Sequence, residues 1–234
     1  MKSTVWMTLT LVRLASAMFA AEPPVTGDEL LKVVRQSQAL QDFQQLKGAL
    51  RSQATGQKIP MELSMKDGSI RFLLREPNEI INLDLGDNGS RLYRVVAGAK
   101  KEVPPSLYSD HVRNTDLNYE DLSMRFLYWP HAKILGEDSI SSQSCWIVRV
   151  TNPDGRKRGP YGTVDIWVAK KSGGMAKMEA HDADGRRVKQ FLVRKIQHYN
   201  DAYILEQMRV ESFDPDKGKS LGITYMEIDD PGKK

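Results

Sequence analysis

The sequence predicts a mainly β (α+β) protein, built as one large curved antiparallel sheet with two or three helices across one face. Three observations carry this prediction. Most of the chain alternates apolar and polar residues with a period of two, the pattern of a half-buried strand. Turn-forming sequences such as Asp67-Gly68, Asp87-Asn88-Gly89 and Asp184-Gly185 recur at the 8–12-residue spacing of an antiparallel meander. No internal repeat or low-complexity linker divides the 234 residues, so residues 22–234 read as one domain.

In chain order, Pro23-Pro24 precedes Thr26, which can cap a helix whose first turn carries Asp28 and Glu29. Leu30, Leu31, Val33 and Val34 form its apolar stripe. From about Phe43 the period becomes two. Met61, Leu63 and Met65 alternate with polar residues, and Lys66-Asp67-Gly68-Ser69 is a tight Asp-Gly turn. Ile70, Phe72 and Leu74 follow, then Ile81, Leu83 and Leu85, then a strand from Leu92 to Val96. Residues 97–116 are polar and contain prolines. Residues 117–128 read as one short helix with Asp116 as N-cap, Leu122, Phe126 and Leu127 facing inward, and Pro130 as its stop. Strands resume over 145–150, 163–169, 176–181, 188–196, 203–210 and 221–228. The total is about eleven or twelve strands.

Composition bounds the function. There are 34 Lys+Arg against 30 Asp+Glu, 40% hydrophobic residues and a single Cys. That hydrophobic content and small net charge exclude a disordered chain. No uncharged apolar run approaches the ~20 residues of a membrane helix, so the chain is not read as an integral membrane protein. One Cys excludes an intramolecular disulfide framework and any multi-cysteine metal site. Residues 1–17 read as a secretory signal peptide: Lys2, an uncharged stretch from Ser3 to Val12, a lone Arg13, and the small-residue site Ala15-Ser16-Ala17. Cleavage is placed after Ala17, with Ala20 or Ala21 as alternatives, and a buried N-terminal helix is the competing reading. No Cys stands at these sites to carry a lipid anchor. The pI of about 9.0 invites a nucleic-acid partner. Removing Lys2 and Arg13 lowers the formal charge from +4 to +2, and the exported chain has no reader motif, so nucleic acid is not expected.

No residue pattern points to catalysis, to a cofactor or to a metal. His111, His131, His181 and His198 lack ligand spacing, and neither a G-x-S-x-G elbow nor a phosphate loop is present. Asp182 to Gly185 starts like a calcium loop but lacks the later ligands, and it reads as a hairpin turn. Cys145, next to Trp146 in an alternating run, reads as an inert buried thiol. Arg156-Lys157-Arg158 and Arg186-Arg187 with Lys189 lie at hairpin loops, either solvated or facing an anionic surface. Ten methionines, among them Met178, Met208 and Met226, suit either ordinary core filling or an adaptable apolar cavity. The cleanest alternation supplies that cavity's candidate lining: Met61, Leu63, Met65, Ile70, Phe72, Leu74, Ile81, Leu83 and Leu85. Plain sheet core is the competing reading for the same residues.

Three segments together resemble a bacterial family of outer-membrane lipoprotein-sorting proteins, relatives of the periplasmic lipoprotein carrier LolA. Thr115 to Leu122 resembles a T-D-x-x-Y-E-D-L signature through Asp116, Tyr119, Glu120 and Asp121. Asp165 and Trp167, followed by Lys177 and Glu179, are similar to a D-x-W…K-x-E strand pair. Asp182, Gly185 and Lys189 match a D-x-x-G-x-x-x-K hairpin. The resemblance implies a LolA-like incomplete β-barrel of about 11 strands, closed on one side by helices over a hydrophobic cavity. It implies a soluble, monomeric periplasmic carrier, not an enzyme, that buries acyl chains of lipoproteins or other lipids and shuttles them toward the outer membrane. Its partners would be an inner-membrane transporter and an outer-membrane acceptor. The alternative is a non-carrier interaction module, either an envelope-stress sensor or an accessory protein of a resistance-nodulation-division (RND) exporter. The motif residues themselves read as structural.

Overall fold

Thirteen strands form a single antiparallel sheet in a computed structural model that describes residues 25–39, 42–155, 159–199 and 202–232. The expected signal peptide and its cleavage sites lie outside the described residues. The strands are β1 (Phe43–Ser52), β2 (Lys58–Lys66), β3 (Ser69–Leu74), β4 (Glu79–Leu85), β5 (Ser90–Val96), β6 (Ala99–Glu102), β7 (Lys133–Ile140), β8 (Gln143–Thr151), β9 (Thr163–Ala169), β10 (Met175–His181), β11 (Arg187–Tyr199), β12 (Ala202–Phe213) and β13 (Ser220–Ile228). Their spatial order is β6-β5-β4-β3-β2-β1-β13-β12-β11-β10-β9-β8-β7. Two meanders therefore meet at the centre, where β1 pairs with β13 from Gly48 opposite Ile228 to Ser52 opposite Thr224. The sheet is open, as a LolA-like incomplete barrel requires.

The alternation read in the sequence matches the observed burial. Along β2 the inward residues Ile59, Met61, Leu63 and Met65 are buried while their neighbours are not, and β10 repeats the pattern. The Asp-Gly turn between β2 and β3 places both Asp67 and Gly68 at positive φ (50° and 73°), the geometry of a two-residue hairpin. Strand β9 departs from alternation because its outer face is covered too. There Cys145, Trp167, Ala169 and Ala176 form a second small cluster, and burial pushes the Cys145 thiol up.

Helix α1 (Gly27–Ala39) begins at a reciprocal cap. The Thr26 N–H donates to Glu29 Oε2 (2.7 Å), and the Glu29 N–H donates to Thr26 Oγ1 (3.2 Å). Leu30, Leu31 and Val34 are buried, whereas Val33 is 44% exposed and does not join the stripe. The second helical segment also corrects the sequence reading. Instead of one helix over 117–128 there are a short helix α2 (Tyr119–Ser123), a left-handed residue at Met124 (φ 49°) and a 3-10 turn, Arg125–Tyr128. Its N-cap is Asn118, not Asp116, because the Asn118 and Asp121 side chains each accept the other's backbone N–H at 2.8 Å. Leu122, Phe126 and Leu127 do face inward.

The count of thirteen exceeds the expected eleven or twelve by adding β6 and β7, the two edges of the sheet. Both are solvated and charged (Ala99-Lys100-Lys101-Glu102; Gly136-Glu137-Asp138-Ser139), so neither shows an apolar period. Charged edges of this kind discourage pairing with other chains. Because β6 and β7 lie at opposite edges, residues 103–132 must pass from one edge to the other. They do so across the inner face, adding Val103, Val112, Leu117, Leu122, Phe126 and Trp129 to the main core.

Thr26→Ala removes half of the α1 cap. Urea unfolding should show a loss of about 1 kcal/mol, with the β-sheet circular dichroism signal retained.

Candidate functional site

The nine candidate lining residues lie on one face. In register, Met61 stands opposite Leu74, Leu63 opposite Phe72 and Met65 opposite Ile70. Ile70 and Phe72 in turn face Leu83 and Ile81 on β4. Eight of the nine are buried, and Leu85 at the strand end is half-buried. The eight buried ones belong to the core cluster that includes residues of the 103–132 connection and of α1, and Leu85 packs against it. This inner sheet face with its helical cover is the candidate site, and the connection acts as a plug seated on it.

The plug is tied to the sheet by buried polar groups, and these are the motif residues. Asp116 docks on β13, where its N–H donates to Thr224 Oγ1 (2.9 Å) and its Oδ2 accepts from the same hydroxyl (2.9 Å). Gly222 makes room for it, since a Cβ there would lie 2.4 Å from Asp116 Oδ1. Lys189 on β11, 4% exposed, donates to the Asp116 carbonyl and to Ser212 Oγ (3.0 Å). Its Nζ lies 3.4 Å from Asp121 Oδ2. The Tyr161 hydroxyl donates to Asp121 Oδ1, and complete burial beside that carboxylate pushes the phenol well above its usual value.

Two further polar groups flank this centre, one inside the plug and one joining it to β4. Glu120 is fully buried and accepts from Arg125 Nε at 2.7 and 2.9 Å. Burial, only partly offset by Arg125, pushes its carboxyl up to about 7. Gly159 (φ 77°) packs on this pair, where a Cβ would sit 2.4 Å from both Glu120 Oε2 and Arg125 Nη2. Tyr119 donates to Glu79 Oε1 (3.2 Å), and burial with the nearby Glu79 charge pushes its phenol up to about 12. Glu79 also pairs with Arg94 (3.0 Å) and Arg113 (2.8 Å). The first and third motifs therefore meet at the plug, through Asp121 and Lys189.

The second motif lies on the outer face, away from the plug. Asp165 accepts from Arg149 Nε (2.6 Å) and Nη2 (2.7 Å), and Trp167 Nε1 donates to Asp138 (2.9 Å). Lys177 lies over the Trp167 ring at 4.0 Å and pairs with Glu179 at 2.9 Å. Burial pushes Glu179 upward, but hydrogen bonds from Lys177 and Gln190 hold it below the usual carboxylate range. Asp182 and Gly185 (φ 80°) form the β10–β11 turn, with Asp182 Oδ1 accepting the Asp184 and Arg186 N–H groups at 2.9 Å. Arg186 is neutralised by Asp182, Asp184 and Asp216. The basic run 156–158 lies outside the described residues. Among the described residues no group of three or more His, Cys, Asp or Glu could hold a metal ion, and no helix is long and apolar enough to cross a membrane.

Lys189→Met leaves Asp121 buried without its cation and should cost about 3 kcal/mol or more in urea unfolding. Adding Asp121→Asn to it should recover part of that loss in a double-mutant cycle. Glu120 gives a pH signature. Its carboxyl titrates near 7 when folded and near 4.5 otherwise, so between those values the folded state holds an extra proton. The stability it contributes therefore falls as pH rises through this window and levels off above it. Glu120→Gln should remove that slope, so melting temperatures at pH 5 and pH 8 should rank the variant higher, relative to the parent, at pH 8.

Known proteins share this architecture. A family model described as "-like: Uncharacterized protein" matches residues 85–233. No curated protein matches the chain. Among solved structures, a protein of the DUF1329 family from Desulfovibrio piger has 16% identity and a TM-score of 0.65, covering 87% of this chain and 90% of that one. A domain described as an outer membrane lipoprotein-sorting protein from Vibrio parahaemolyticus has 13% identity and a TM-score of 0.67, covering 87% and 92%. A LolA superfamily protein from Nitrosomonas europaea has 17% identity and a TM-score of 0.63, covering 88% and 93%. The chain thus belongs to the family of the model that spans residues 85–233, and it carries the LolA-like fold.

Proposed function

We propose that this protein is a periplasmic carrier that binds acyl chains of lipoproteins or other lipids on the inner sheet face and conveys them toward the outer membrane. The supporting observation is the continuous apolar face of β2, β3 and β4, from Met61 to Leu85, under a plug tied down by polar contacts. Such a face offers what an acyl chain needs. Each CH₂ kept from water is worth about 0.8 kcal/mol, so a sixteen-carbon chain stands to gain on the order of 12 kcal/mol. Transfer of this kind requires no nucleophile, and the reading is of a carrier rather than an enzyme. Residues 1–17 act as its export signal. An inner-membrane donor and an outer-membrane acceptor are its partners.

A second reading, an interaction module such as an envelope sensor or an exporter accessory, is favoured by one observation. In this conformation eight of the nine lining residues are already buried by the protein itself. Carriage therefore requires the plug to swing aside, whereas a filled sheet would serve a purely protein partner.

The two readings separate in one experiment. The purified protein should co-purify with lipid in native mass spectrometry and take up a fluorescent acyl probe. Met65→Glu places a charge on the apolar face beside the β2–β3 turn, and it should reduce uptake about tenfold or more. Absence of both lipid and uptake, with a protein recovered in cross-linking, would favour the interaction module.

A further inference from the structure

The outer face of the first meander carries a group of cations of which three have no acidic partner among the described residues. Lys66, Ser69, Asp84 and Arg91 stand in one cross-strand row over β2, β3, β4 and β5. Arg71 shares that face one pleat away, opposite Asn82. Lys100 reaches in from β6, lying 4.1 Å over the Tyr93 ring and 2.7 Å from Asp84 Oδ2. Asp84 Oδ1 already accepts from Ser69 (3.0 Å), so Arg91 faces a carboxylate whose two oxygens are both engaged. Lys66, Arg71 and Arg91 are exposed, and among the described residues their side chains make no hydrogen bond or ion pair. Elsewhere on the face Glu62 is taken by Arg75, while Asp67 sits in the adjoining turn and Glu102 on the edge strand. Of these four cations only Lys100 pairs with a carboxylate among the described residues, while Asp67 and Glu102 stand nearby unpaired, so Lys66, Arg71 and Arg91 keep a local positive field that an outside anion can offset.

We propose that this outer face of β2–β6 docks on the anionic headgroups of a phospholipid bilayer. The cations lie on β2, β3, β5 and β6, a span of about 20 Å of sheet at the usual strand spacing, rather than gathered in one loop. A wide array of separate charges suits the many phosphates of a membrane surface. Tyr93, half-buried beneath Lys100, has the amphipathic character of residues found at headgroup level. The outer face of the second meander offers a contrast. There Arg149, Lys177, Arg187 and Arg209 are matched by Asp165, Glu179 and Glu211, which leaves little field for a membrane. The docking face lies opposite the candidate lipid-binding face and does not depend on it.

Vesicle co-sedimentation of the full mature chain tests this. Binding should be strong to phosphatidylethanolamine/phosphatidylglycerol vesicles, weak to phosphatidylethanolamine/phosphatidylcholine vesicles, and should fall with ionic strength. The K66Q/R71Q/R91Q variant should bind about a hundredfold more weakly, since each cation near an anionic bilayer contributes roughly fivefold. Its circular dichroism and acyl-probe uptake should match those of the parent, which separates failure of docking from failure of carriage. R71E alone should weaken vesicle binding more than tenfold. Equal partition of parent and triple variant would overturn the proposal, as would tight binding to polyglutamate without binding to the anionic vesicles.

Discussion

The ammonium of Lys189 is the contact on which the rest of the structure depends. It arises from β11, in the second meander, and meets Asp116 and Asp121 on the connection that leaves the first meander. That connection has to cross the sheet, because β6 and β7 lie at opposite edges. Apolar burial alone would hold it loosely, since many side-chain arrangements fill a core about equally well. A buried amine with a few permitted acceptors tolerates one seating. Desolvation offsets much of the Coulombic gain of such a pair, so its net contribution to stability is smaller than the cost of removing one partner.

The same clasp shapes what the inner face can do. A cover held by apolar contacts alone resists removal in proportion to the area it buries. The polar anchors, Lys189 with Asp121 and Glu79 with Tyr119, can exchange their partners for water when the plug moves. For a carrier, the burial free energy of one acyl chain, on the order of 12 kcal/mol, has to offset both the polar contacts of the plug and the apolar burial of its core residues such as Leu122 and Phe126.

The strands of both meanders were legible in the sequence because their inner and outer residues differ so sharply. Met61, Leu63 and Met65 against Glu62 and Ser64 leave one reading. The edge strands were not legible, because β6 and β7 bury little and have no apolar period to detect. The N-cap of α2 was misplaced by two residues because Asp116 and Asn118 are both good caps. Only the tertiary contact of Asp116 with Thr224, 108 residues away, decides between them. The motif residues Asp121 and Lys189 could be singled out in the sequence. Their partners Tyr161, Arg125, Arg149 and Asp138 were not, because no local spacing links residues that meet only after the sheet has formed.

Charge follows the same logic of pairing across strands. The whole chain is only mildly basic, and Lys2 and Arg13 in the expected export signal account for half of its formal +4. Net charge is therefore a poor guide to partners here, and the arrangement of charges is the better one. In the second meander Arg149 faces Asp165 in register, while Lys177 with Glu179 and Arg209 with Glu211 pair along their own strands, so these fields cancel within a few ångströms, well inside the ~8 Å Debye length of physiological salt. In the first meander the register sets Arg91 against an Asp84 already held by Ser69 and Lys100, and it leaves Arg71 facing Asn82. A one-residue slip would turn these cations inward, so the register that buries Ile81 and Leu83 also holds the cations on the outside. One pairing pattern thus produces both the apolar inner face and the basic outer one.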